Sequence, residues 1–316
     1  MSQLTPFGLL LRQLRLKKNI RLSKMADDIG SSPSIVSGIE LGRRPIPAGY
    51  VDKVANAIKA SVEEFHDLME KAQQSRSIIK LKQFSSNDQI LVNELARKVD
   101  ELSDEEKEKI KKILSLPALQ NEEPFRRKRG SIVAATSYNN IWQRAEEWGK
   151  SIPIKQNNML DISYALENLE CYTQNFPFKW TLDILPVHYM LKEEGKTDFS
   201  NHIIYIREDI WCRLDKDDPR ARFTACHEFG HLILHSFQPI FMARGNIEQN
   251  PIYCDAEWQA DVFAASLLMP ASKAREFLAT NNSLDACSSH FGISKSACAA
   301  TLKQYAKKKL LVMPYQ

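Results

Sequence analysis

A chain of 316 residues is long enough for two or three domains, each with its own core. With 43% hydrophobic and 26% charged residues it has an ordinary globular composition, which sets aside the disordered and fibrous classes. No apolar run approaches the roughly 18 residues of a membrane span, so no membrane partner is expected. A net charge of +4 is too small to diagnose nucleic-acid binding by itself.

The distribution of charge says more than its sum. Residues 1–60 carry ten Lys/Arg against four Asp/Glu, a local +6 that exceeds the charge of the whole chain. The opening stretch places a short apolar run ahead of its charges, which is not the order of a secretory signal. Six cysteines (171, 212, 226, 254, 287 and 298) form no CxxC pair. Free thiols in a reducing cytoplasm are the expectation.

Short helices follow one another through residues 1–75. Phe7, Leu10, Leu11 and Leu14 make the i, i+3, i+4, i+7 stripe of a first helix. A second runs from Ser23 as N-cap to Gly30. Ser31 or Ser32 caps a third, with Pro33 early, Ile35, Val36 and Ile39 inward, and an end at Glu40-Leu41-Gly42. Pro47–Ile58 and Val62–Leu68 supply the closing pair, a five-helix bundle in all.

These residues resemble the XRE (Cro/CI-type) helix-turn-helix family over about 5–70. The resemblance lies in Leu22-Ser23, Met25-Ala26, Ile29-Gly30, the run Ser34–Glu40, Gly42-Arg43-Arg44-Pro45, Val54-Ala55 and Ala57-Ile58. It implies a DNA-binding domain, a partner in duplex DNA and a homodimer, with residues 32–40 as the recognition helix. Ser32, Ser34 and Ser37 would face the major groove, and Arg43 and Arg44 would meet phosphate. That helix is poor in Arg, Gln and Asn, so few bidentate base contacts are expected.

Residues 78–114 read as charged helix, with a capping box at Ser103-Asp104-Glu105-Glu106. Residues 115–130 read as a linker holding Pro117, Pro124 and the basic run Arg126–Arg129. The segment 76–130 is therefore a helical connector, and a mobile joint between separable domains is expected.

From 131 a second domain begins. Helices are expected over Ile141–Trp148 and Met159–Leu169, and a short strand over Ile203–Ile206. Then comes His227-Glu228-Phe229-Gly230-His231, an HExxH. On a helix this spacing puts two imidazoles on one face, able to share a zinc ion, with the glutamate placed to activate water. The flanks Phe223, Phe229, Leu232, Ile233 and Leu234 suit a buried helix. Gly230 costs that helix roughly 1 kcal/mol and so calls for a packing reason.

A second helix, Ala256–Leu268, carries Glu257 and Asp261 four residues apart. One carboxylate can bind the metal while the other holds a ligand histidine from behind. Glu257 is the expected third ligand. His235 lies two turns, about 11 Å, from His227, too far for all three histidines to reach one ion. It is expected to support the site, as is Asp261, and Asp255 lacks an acidic partner. Cys226 and Cys254 flank the site and read as small buried residues.

The runs Arg220–His235 and Glu257–Pro270 resemble the ImmA/IrrE family of metallopeptidases over about 140–275, with Gln259 where the family often has glutamate. The resemblance implies a zinc endopeptidase with Glu228 as general base. It also implies a helix-turn-helix repressor as substrate, cleaved to derepress phage, mobile-element or stress genes. Residues 283–306 read as a helix pair closing this domain.

The expectation is thus a multidomain, mainly α protein. A helix-turn-helix bundle (1–75) and a connector (76–130) precede an α+β zincin-like domain with a small sheet (131–316). It would hold one Zn2+ per chain, with Mn2+ as the alternative metal. Two other functions stay open: a transcriptional regulator whose peptidase-like domain is a sensor or dimerisation module, and an antitoxin-like DNA-binding protein.

Overall fold

The computed structural model describes residues 4–75, 103, 131–190, 192–237, 251–281, 283–308 and 310. The connector helix expected over 78–114, the rest of the capping box beyond Ser103, and the 115–130 linker lie outside these residues.

Five helices form the N-terminal bundle: α1 (Pro6–Lys17), α2 (Leu22–Asp28), α3 (Pro33–Glu40), α4 (Tyr50–Ala57) and α5 (Val62–Ser75). Thr5 caps α1 by accepting from the Gly8 amide, and Pro6 sits where its missing N–H is harmless. Phe7, Leu11, Leu22, Met25, Val36, Ile39, Val54 and Leu68 fill the core. Arg15 and Glu40, both fully buried, pair across it at 3.1 Å. One detail differs from expectation. Ser23 lies inside α2, whose N-cap is Arg21, and its hydroxyl accepts from the Trp211 indole N–H of the other domain.

The second unit begins with the bridge between Ile132 and Asp255 and with α6 (Tyr138–Ser151), which packs along the helix Ala256–Leu268. The helix expected over 159–169 is split into α7 (Ile162–Glu167) and α8 (Leu169–Tyr172), with Asn168 between them. Three strands make one sheet in the order β1 (Thr181–Leu185), β3 (Ile203–Arg207), β2 (Gly195–Asp198), with α9 (Val187–Met190) between β1 and β2 in the chain. β1 is parallel to β3, Thr181 beside Ile203; β2 is antiparallel to it, Gly195 beside Ile206.

Behind the sheet lie α10 (Glu208–Leu214) and α11 (Pro219–His235), the latter capped by Asp218 with Pro219 at its first position. A short 3-10 turn (Ile252–Cys254) leads to α12 (Ala256–Leu268), which Asp255 caps. The pair α11/α12 crosses closely at Gly230. A Cβ there would stand 3.1–3.3 Å from Phe263 and from the Ala260 backbone. This close approach is the reason a glycine interrupts the helix. α13 (Ala271–Thr280), α14 (Leu284–Phe291) and α15 (Lys295–Lys307) close the domain, and Cys287, Cys298 and Tyr305 gather around Met269.

The two units share an interface. α3 lies along β1, the exposed edge of whose ladder would otherwise be open. Arg15 reaches Glu167 at 2.8 Å, Glu167 accepts from the Leu22 amide, and Arg21 pairs with Asp161. The expected mobile joint between separable domains is not what these contacts describe. Burying Arg15, Glu167 and Asp183 together fixes how the described parts sit. No helix among the described residues is long and apolar enough to cross a membrane.

Candidate metal centre

α11 presents His227 and His231 on one face because they are one turn apart. Their Nε2 atoms lie 3.0 Å from each other. α12 brings Glu257 against them, with Oε2 at 3.2 Å from His227 Nε2 and Oε1 at 3.4 Å from His231 Nε2. All three ligand atoms thus point at one spot. Bonds of about 2.0–2.2 Å at tetrahedral angles would set ligand atoms roughly 3.3–3.6 Å apart. Two imidazoles and one carboxylate are the donor set of an open catalytic zinc site. The residues present therefore fit a divalent metal.

The other ring nitrogens are held from behind, which aims both Nε2 atoms inward. His227 Nδ1 meets Asp261 Oδ1 at 2.9 Å, and His231 Nδ1 meets His235 Nδ1 at 3.3 Å. His235 in turn has Nε2 at 3.2 Å from Gln259 Oε1. The fully buried Gln259 amide donates to the carbonyls of Ala134 and Tyr253 at 2.9 and 2.8 Å. A glutamate at 259 could accept from His235 but could not donate to those two carbonyls. Burial and the neighbouring His231 lower His235 to about 4, so it is neutral and able to serve as donor and acceptor at once.

Glu228 is buried, one oxygen 2.7 Å from the Thr197 hydroxyl. Burial raises its carboxyl, against the pull of His231, His227 and Thr197. β2 passes directly over it. A Cβ on Gly195 would come within 2.7 Å of Glu228 Cγ, so only glycine lets the strand lie so close. Hydrogen bonds from His227 and His231 hold Glu257 well below the usual carboxylate range. Cys226 is fully buried and its thiol is pushed up to about 12 by burial, so it packs rather than ligates.

The structure therefore brings His227, His231, Glu257, Glu228, Asp261 and His235 into one cluster. Thr197, Gly195 and Gln259 were not read from the sequence as parts of it. The first two sit in a strand of turn-like composition, and the third gave no sign of its partners.

The residues expected to meet DNA are placed differently. The side chains of Ser34 and Ser37 are buried rather than presented to solvent. The Ser37 hydroxyl donates to Asp183 at 3.0 Å and accepts from the Ile184 amide at 3.2 Å. Arg43 pairs with Asp183. Ser32 is half-buried beside Ser34, while Arg44 stays exposed, its stem against Gly38. The reason is the sheet edge. A hydroxyl on α3 supplies the acceptor that the Ile184 amide lacks.

Two family models match the chain. A helix-turn-helix model covers residues 11–65, and an IrrE N-terminal-like domain covers residues 185–303. No curated protein matches it. The chain joins an XRE-type helix-turn-helix domain to a peptidase domain of the ImmA/IrrE family.

Proposed function

We propose that this DNA-binding regulator is an active zinc endopeptidase, and that its substrate is a helix-turn-helix repressor whose cleavage derepresses phage, mobile-element or stress genes. The observation that carries the reading is the convergence of two imidazoles and one carboxylate beside a buried, hydrogen-bonded glutamate. The substrate class rests on the family resemblance.

His227, His231 and Glu257 would hold the ion, with Asp261 and His235 fixing the two rings. A bound divalent ion supplies Lewis acidity to a peptide carbonyl. Glu228 performs the proton work. Thr197 fixes one of its oxygens, and the carboxylate takes a proton from the water that adds to the carbonyl carbon. When the C–N bond breaks, the same proton goes to the departing amine. A carboxyl raised by burial suits both steps, because it binds the proton well enough to carry it.

The burial of α3 against β1 favours a second reading, in which the peptidase domain is a sensor acting on the DNA-binding domain. Incubation of the full chain with Zn2+ or Mn2+ and the helix-turn-helix proteins encoded beside it, followed by gel, separates the two. Fragments produced by the parent and not by Glu228→Gln support the protease. Metal uptake with no fragment from any neighbour supports the sensor.

A further inference from the structure

In a helix-turn-helix the second helix enters the major groove, its N-terminal residues reach base edges, and nearby cations meet phosphate. Here α2 and α3 make that pair, so α3 is the reading helix. Three of its DNA-facing features, the Ser34 amide, Ser37 and Arg43, already have partners in the other unit, while Arg44 stays exposed. Asp183 takes both the Ser37 hydroxyl and the Arg43 guanidinium. Glu208 accepts from the Ser34 amide at 3.3 Å, at the helix N-terminus where a phosphate oxygen would sit. Two carboxylates thus occupy positions that suit an anionic backbone. A major groove about 12 Å wide must take in the whole helix, and β1 lies along the face it would need.

We infer that β1 and the start of α10, through Asp183 and Glu208, form an internal docking surface that excludes duplex DNA from α3. DNA and the peptidase domain then compete for one face. The competition also runs the other way. Withdrawing α3 removes Ser37 from the Ile184 amide and opens the edge of the sheet whose far strand lies on Glu228. The inference rests on the DNA-binding reading of the N-terminal domain and not on proteolysis.

The test uses the full chain and a fluorescent random-sequence duplex. Anisotropy gives affinity for the parent, Asp183→Asn and Glu208→Gln. Hydrogen exchange of the parent follows the Ile184 and Ser34 amides with and without saturating duplex, so the result does not depend on a variant folding. The expected outcome is tighter binding by the variants, about tenfold or more. For Asp183→Asn it includes a steeper salt dependence, because Arg43 is freed for phosphate. Slow exchange at Ile184 without DNA should become fast with it. Equal affinity for all three proteins, with Ile184 still protected on DNA, overturns the exclusion but leaves DNA binding standing through another face. No duplex bound by the parent or by either variant at any concentration overturns the DNA-binding reading as well.

Discussion

Two carboxylates at the candidate metal centre are held in opposite ways. Burial raises Glu228, while hydrogen bonds from two imidazoles keep Glu257 ionised. That split accords with the proposed roles, Glu228 as proton carrier and Glu257 as ligand. The Thr197 hydroxyl aims the first, and a hydrogen bond to a charged group is worth roughly 1.5–3 kcal/mol. Thr197→Val should therefore lower kcat by about tenfold or more with bound metal unchanged, read by peptide cleavage beside elemental analysis. A parent-like kcat would remove Thr197 from the site. Gln259 works one step further back. Gln259→Leu frees His235 and with it the His231 ring, and should weaken metal affinity about 10- to 100-fold in a competitive chelator titration. Parent-like affinity would show that the ring is held by packing alone.

At the scale of elements, the legible parts were those whose chemistry lies within one helix. His227, Glu228 and His231 share a helix face by spacing, and Glu257 and Asp261 share another. Ala256–Leu268 was read to the residue, and in the structure Asp255 caps its start and Met269-Pro270 follows its end. The strands were harder. β3 showed as Ile203–Ile206, but β1 hides an aspartate at its centre, and β2 (Gly-Lys-Thr-Asp) has the composition of a turn. Both make sense only through partners far along the chain. Asp183 answers Ser37 and Arg43, and Gly195 answers Glu228. The same distance hid the face of α3, since periodicity marks a helix and not what covers it. Gly230 was flagged as needing a reason, and the α11/α12 crossing is that reason. Gly230→Leu should overpack the crossing and cost about 1–3 kcal/mol of stability, seen as a lower denaturation midpoint. An unchanged midpoint would mean the crossing has room to spare.

At the scale of the molecule, the helix-turn-helix bundle is part of the fold of its neighbour. The fully buried Arg15 joins Glu40 of its own domain to Glu167 of the other. Removing one member of a buried network leaves charge without a partner and costs about 3–5 kcal/mol. Arg15→Ala should therefore destabilise both domains in a single transition, measured by calorimetry. Two separate transitions, with only the first displaced, would show independent units. By the same logic, residues 131–316 expressed alone should unfold at a lower temperature than the full chain and self-associate through the open edge of β1.

A metal-dependent peptidase with Glu228 as its proton carrier must keep its metal and lose its rate when that carboxylate becomes an amide. The most direct measurement compares the parent and Glu228→Gln in one experiment, for bound metal and for cleavage of a partner protein. About one divalent ion per chain is expected in both. Cleavage by the parent is expected to be faster than that by the variant by about 10²–10⁴-fold, the usual worth of general-base assistance. Parent-like cleavage by Glu228→Gln, or a parent protein that takes up no metal, would contradict it.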